Sequence, residues 1–281
     1  MPTIDAKAVE NLIIPIPPLE VQAEIVRILD KFTSLTAELT AELTLRRQQY
    51  EYYRDKLLGL SILRGGGVVN NTDTSGIIWV KLSDIATITR GGSFQKKHFT
   101  PEGKPCIHYG QIHTYYGVHT SKTLSYISPE TFSKSRTAQP GDIIMATTSE
   151  DVEGVCKCTA WLGNEPIAVS GHTAIIHHNQ NPKYLAYFFQ SETFQIQKRH
   201  LAYGTKVIEV KPSSLGEVLV PLPPIDQQNH IASILDRFDF LCNNLSHGLP
   251  AEIQARQTQY QYYRDKLLTF KEKSPCQNTA P

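Results

Sequence analysis

At 281 residues the chain has material for one or two domains, and 28 Lys+Arg against 27 Asp+Glu leave a net charge of only +1. Overall charge therefore selects no class of partner. Five cysteines, an odd number, argue against a disulfide framework. The lack of a signal peptide or long apolar run argues against a secreted or membrane-bound protein, so the expected compartment is the cytoplasm, with thiols reduced.

Residues 1–19 read as a remnant strand and a Pro-rich lead-in. Ile4, Val9, Leu12 and Ile14 align with Val210, Leu215, Val218 and Val220, so the chain begins on what resembles the last strand of a domain. Residues 20–63 read as a long helix. Ile25, Phe32 and Leu39 are seven apart, as are Leu43, Tyr50 and Leu57, which is a heptad seam. One four-residue step interrupts it, where Thr36-Ala37-Glu38-Leu39 is repeated as Thr40-Ala41-Glu42-Leu43. Such a stutter locally unwinds a coiled coil. A helix from Glu20 to Leu58 would be roughly 58 Å long, which suits a spacer better than a small core.

Much of this stretch occurs twice. Shifted by 206, 9 of the 18 positions from Pro15 to Phe32 are identical; shifted by 210, so are 10 of the 13 from Arg46 to Leu58. Two copies far apart frame an insert rather than build a solenoid.

Residues 64–219 hold that insert, a Gly/Thr/Asn-rich linker to Gly76 and then one mixed α and β domain. Strands are expected at Ile77–Leu82, Ile85–Thr89, Ile143–Ala146 and Ala168–Ile176, the last broken by Gly171. Pro140-Gly141-Asp142 forms a turn, and Pro182–Gln197 a helix burying Tyr184, Leu185, Phe188, Phe189 and Ile196. From Arg64 to Lys211 there are 15 Lys+Arg against 11 Asp+Glu, with eight of the ten histidines; the flanks hold 13 against 16. A basic middle between acidic arms fits a polyanionic partner.

Three patterns in the insert bear on catalysis or metal binding. Asn181-Pro182-Lys183-Tyr184 resembles the Asn-Pro-Pro-Tyr loop of amino-methyltransferases, but its second proline is lysine and no glycine-rich loop follows a strand to hold a methyl donor; it reads as a helix start. Asp84 with Glu102 and Lys104 meets only the loosest metal-nuclease pattern. Cys156 and Cys158 would share one face of a strand and, with His172, offer zinc three ligands, but no second cysteine pair completes a site. No catalytic residue, metal or cofactor is therefore expected.

The remaining signal is a polar surface. Lys96, Lys97, His98, Lys104, His108, Tyr109, Gln111, His113, Thr147, Thr148, Ser149, Lys198, Arg199, Tyr203 and Lys206 interleave cations with amides, hydroxyls and aromatic rings. Lys and Arg neutralise phosphates, while Gln, His, Ser and Thr bond to base edges, so these are the candidate contacts to double-stranded DNA.

Residues 220–270 repeat the Pro-rich lead-in and the long helix, with the seam at Ile231, Phe238, Leu245, Ile253, Tyr260 and Leu267. The second copy carries four more residues than the first around Gly248-Leu249-Pro250, where the helix should break and restart with Pro250 in its first turn. Residues 271–281 form a tail.

Taken together, the Pro-x-Pro-Pro lead-ins, Gln22 and Gln228, Ile28–Phe32 and Ile234–Phe238, and the two Tyr-Tyr-Arg-Asp-Lys-Leu-Leu ends resemble the repeated regions of specificity subunits of type I restriction-modification systems. The Thr-Ala-Glu-Leu units resemble the IC-like branch. The insert resembles one target recognition domain of that family, including Gly141–Ile144, Ala160–Gly163, Ser170–Thr173 and Gly204–Val207. The resemblance implies an α+β fold, with one mixed α/β recognition domain flanked by two long antiparallel coiled-coil helices. It also implies a non-catalytic DNA reader that docks modification (methyltransferase) subunits and, through them, restriction subunits on a bipartite target. The family carries two recognition domains per complex and this chain one, so a homodimer is the expected assembly. The alternatives are a stand-alone DNA-modifying or DNA-cleaving enzyme, and a coiled-coil scaffold without specific reading.

Overall fold

The computed structural model describes residues 10, 14–58, 78–244 and 247–270. Residues 1–9 and 11–13 of the expected remnant strand, the linker 64–76, Ile77, residues 245–246 and the tail lie outside the described residues, and residues 14–18 form no strand. The chain divides into two compact units, residues 48–238 and residues 1–47 with 239–281. No helix among the described residues is long and apolar enough to cross a membrane.

The helical unit follows from the heptad pattern. Leu19–Leu57 is one continuous helix of 39 residues. Within the unit, Phe32 stacks on Tyr263 at 5.3 Å between ring centroids. Thr33, Thr36, Thr40 and Thr44 donate their hydroxyls to carbonyls four residues back, which satisfies these β-branched side chains inside a helix. The second copy is two helices, Ile225–Asn243 and Leu249–Leu268, with Gly248 at the cap and Pro250 in the first turn, as its sequence predicts. Glycine is required at 248 by close packing, since a Cβ there would lie 2.6 Å from the Phe240 carbonyl oxygen.

The larger unit is built on two five-stranded sheets. One has the order Ala86–Arg90, Thr173–His178, Ile143–Ala146, Cys158–Trp161, His119–Thr120; the other Phe99–Thr100, Ser125–Ile127, Lys104–Ile107, Ile167–Val169, Thr137–Ala138. Ile107, Ile144, Trp161, Ile167, Val169 and Ile175 pack one buried cluster together with Ile112 and Tyr116. Ile143–Ala146 is buried at every position, so it reads as a continuous apolar run rather than an alternating one.

Two sequence expectations are corrected here. Ala168–Ile176 is not one interrupted strand: Ile167–Val169 and Thr173–His178 belong to different sheets, with the turn Ser170–His172 crossing between them. Pro182–Gln197 is not one helix but two, Pro182–Phe188 and Glu192–Leu201. The Asn181 side chain caps the first and the Ser191 hydroxyl, accepting from Phe194 N, caps the second, so the chain restarts where its apolar period alone shows no gap. Tyr184, Leu185, Tyr187, Phe188, Phe189 and Phe194 are all buried; Ile196 is only half-buried.

Two short pairings complete the unit. Ile78–Lys81 runs antiparallel to Leu219–Leu222, with Trp79 opposite Pro221. Both strands of this pair are edges, and the Pro221 carbonyl faces away from Trp79 to accept from the Tyr184 hydroxyl at 2.7 Å, so the missing N–H lies off the ladder. Thr148–Ser149 pairs antiparallel with Ile208–Glu209.

Candidate nucleic-acid interface

Lys96, Lys97 and His98 form a single 3-10 turn, with both lysines exposed and His98 Nδ1 accepting from Gln95 N. His108 caps the helix Tyr109–Thr114: its Nδ1 accepts from Gly110 N at 3.2 Å, and its own N–H donates to Gln111 Oε1 at 3.0 Å. The His108 imidazole is therefore neutral, with its proton on Nε2. Burial, with Lys96 and His172 nearby, holds it below its usual pKa. Its ring lies 4.6 Å from Tyr109, and Tyr109 lies 5.3 Å from His172. Gln111 donates to Ser125 Oγ at 2.7 Å.

The row continues through the backbone. Thr147 N donates to the His172 carbonyl at 2.8 Å. His113 Nε2 meets the Thr148 carbonyl at 3.0 Å, and Lys157 Nζ donates to the His113 carbonyl at 2.8 Å. Through the pairing of Thr148 and Ser149 with Glu209 and Ile208, the row reaches the loop closed by Tyr203 and Glu209, with Lys206 exposed in it. Lys211 Nζ sits 5.4 Å above the Tyr203 ring. Segments distant in sequence thus form one connected strip. Arg90, Lys96, Lys97, Arg136 and Lys206 make no ion pair among the described residues.

Three candidates fall outside the strip. Lys104 is exposed, with its Nζ 5.9 Å from the Phe132 ring. Arg199 lies 3.9 Å from Glu192. Lys198 is not a surface side chain: it is 1% exposed and donates to the Glu153 carbonyl at 2.9 Å, so its ammonium anchors a loop. His108, Thr147 and Thr148 are buried too, and only Ser149 of that run is partly open. They shape the strip rather than coat it.

The sequence candidates left out Arg90, Arg136, Lys157 and Lys211 and weighed His172 only as a zinc ligand. Lys157 was masked by its two cysteine neighbours, whose geometry also corrects the shared-face expectation: Cys156 is left-handed, with φ +65°, and precedes the strand that Cys158 opens. Burial raises both thiols, Cys156 to about 12. Arg90 and Arg136 had no local cluster to mark them; Arg90 precedes Gly91 in sequence, and tertiary structure brings the Arg136 backbone against Gly92.

The family model for the type I restriction modification DNA specificity domain matches residues 1–45 and 77–255. The chain belongs to that family. The specificity subunit of the Escherichia coli type I restriction enzyme EcoR124I/EcoR124II is 33% identical over 92% of this chain, and a putative type I specificity subunit from Haemophilus influenzae 32% over 93%. The chain spans 63% and 64% of the length of these two relatives. A putative type I specificity subunit from Mycoplasma pneumoniae is 30% identical, and there the alignment covers 88% of this chain and 89% of the relative. The fold is shared with the HsdS subunit from Thermoanaerobacter tengcongensis, at a TM-score of 0.58 and 17% identity over 95% of this chain and 63% of that one.

Proposed function

We propose that this chain is a sequence-specific DNA recognition subunit of a type I restriction-modification complex. It positions methyltransferase subunits and, through them, restriction subunits on a bipartite target in the cytoplasm, and does no chemistry itself. The observation that carries this reading is the strip from Lys96 to Lys211, where unpaired cations flank rings and hydroxyls on a scaffold of two sheets. Cations of this kind exchange counterions for phosphates, and the polar groups between them supply base contacts.

The repeat supports assembly in two copies. One end of each copy meets the recognition domain. Asp55 Oδ1 accepts from Glu192 N at 3.0 Å, and Gln228 Oε1 from Asn181 N at 3.0 Å. Asp236 takes Lys183 at 2.7 Å and the Tyr187 hydroxyl at 2.8 Å. The equivalent groups at the opposite ends, Gln22, Asp30 and Asp265, have no partner outside their own helix or lead-in among the described residues, while Ile14, Ile16 and Leu19 are exposed. We assign those free ends to self-association, the second copy supplying the second recognition domain. Closed pairing of identical chains is twofold, and twofold readers recognise interrupted palindromes.

Mapping methylated sites on DNA modified by this chain with its modification subunit tests both statements. The expected result is one interrupted palindrome, and no methylation by the chain alone with a methyl donor. Turnover by the pure chain would overturn the non-catalytic reading. A target with two different halves, from this chain as sole reader, would overturn the twofold assembly.

A further inference from the structure

The turn Ser170–Thr173 joins the two large sheets, and its backbone is held from several sides. Gly91 N donates to the Thr173 carbonyl at 3.0 Å, Gly92 N to Val169 at 2.8 Å, Thr147 N to His172 at 2.8 Å and Ser170 N to Ile107 at 3.0 Å. Ser170 Oγ accepts from Tyr109 N at 2.9 Å, and Thr173 Oγ1 donates to the Ser170 carbonyl at 2.7 Å. Packing is so close that a Cβ on Gly91 would lie 2.1 Å from the Ser170 oxygen.

Within this clamp His172 adopts φ +60°, the left-handed region that is uncommon for residues with a Cβ, although histidine enters it more often than most. A glycine sits next to it in sequence, yet the left-handed backbone falls on the histidine. The side chain is exposed, so it gains little from burial in return. Held there by its surroundings at an exposed position, the ring is preorganised for contact with something outside the chain. The setting says what. The imidazole is 5.3 Å from the Tyr109 ring, which backs onto His108 at 4.6 Å. Arg90 directly precedes the glycines that clamp the turn, the Arg136 backbone packs against Gly92, and Lys96 reaches Gly110 beside His108. These cations are among those without an ion pair among the described residues, and their backbones or stems lie along the elements that hold the ring.

Building on the recognition reading above, we propose that His172 is a specificity-determining residue of the domain. Its imidazole N–H donates to a purine N7 in the major groove. Tyr109 and His108 back the ring, and Arg90, Lys96 and Arg136 hold the flanking phosphates. Purine N7 is an acceptor that a single imidazole donor fits and that 7-deaza replacement removes without touching guanine O6 or thymine O4, whereas cytosine presents a donor on its major-groove edge.

The test uses the full chain with its modification subunits, on duplexes carrying the mapped target, the target with single 7-deazapurines, and unrelated sequence. His172→Gly removes the ring and suits the backbone. It should keep or raise thermal stability and leave affinity and salt slope on unrelated DNA unchanged, while reducing discrimination for the target roughly tenfold. At one purine position, 7-deaza replacement should weaken wild-type binding and leave the glycine variant unaffected. If the wild type discriminates and His172→Gly discriminates equally well, the assignment fails while the recognition reading stands. If the wild type prefers no sequence, the recognition reading fails and takes this inference with it. His172→Asn, which tolerates the left-handed region, separates ring from backbone. Should the glycine variant melt earlier and the asparagine variant keep full discrimination, His172 is structural and the proposal is wrong.

Discussion

Deleting Thr40–Leu43, one of the tandem Thr-Ala-Glu-Leu units, should shorten the gap between the two halves of the target and leave the recognised bases alone. Four helical residues carry roughly 6 Å of rise and about 400° of turn, so the seam returns to within about 40° of phase. The structure bounds the loss of stability. The Thr36, Thr40 and Thr44 hydroxyls bond within their own helix, at 2.8, 2.7 and 3.0 Å. Thr36, Ala37, Thr40, Ala41 and Thr44 line a groove of about 800 Å³ facing Gln257, Tyr260, Gln261 and Arg264, so they bury little against that helix. Removing one half-buried leucine then costs about 1 kcal/mol, or a Tm shift of about 2–4 °C. DNA rises about 3.4 Å per base pair, so roughly 6 Å corresponds to one or two pairs. The break between Asn243 and Leu249, where the second copy already has extra residues, absorbs part of the change and favours one. Methylated-site mapping on the deletion variant is the assay. An unchanged gap at normal activity refutes the spacer, and altered half-sites would mean that the helices also steer base contacts.

Reversing charge at Lys96 and Lys97 should weaken DNA binding and lower the log–log salt slope by about 0.9 for each phosphate left without its cation; no change in slope would put the DNA face elsewhere. Lys198→Glu should instead lower stability by about 3 kcal/mol or more, because a carboxylate replaces a buried ammonium whose partner is a carbonyl; a normal melting curve with weakened binding would contradict that anchoring role. His178 is pushed down to about 4 by burial, its Nε2 has no hydrogen-bond partner, and its Nδ1 accepts from Gln180 N. Its folded pKa lies below the unfolded 6.5, so its contribution is present above pH 6.5 and is lost as pH falls through 4, up to about 3 kcal/mol. Melting wild type and His178→Asn across that window checks it, since equal slopes would assign the acid sensitivity to another group.

The helical frame was legible because a heptad period and an internal repeat are local signals. The break at Gly248 was legible because glycine followed by proline leaves a helix few options. Sheet order was not. Strands of two to six residues carry little period, and the crossover at Ser170–His172 places neighbours in sequence on different sheets. The polar strip was half legible. Its cations and rings announce themselves, but which of them meet depends on approaches such as that of Tyr109 to His172, which no spacing rule supplies. Lys198 was misplaced for a reason the sequence did contain. It lies four residues after Phe194, on the same face of Glu192–Leu201, so helix phase buries it while Arg199 turns outward. A run of Lys-Arg-His outweighed that phase. His172 fails in the opposite sense. Local rules would assign the left-handed position to Gly171, and only the clamp from Gly91, Gly92 and Thr147 moves it onto the histidine. An element whose conformation departs from its own local preference is held by the rest of the fold, and there expectations drawn from neighbouring residues alone fail.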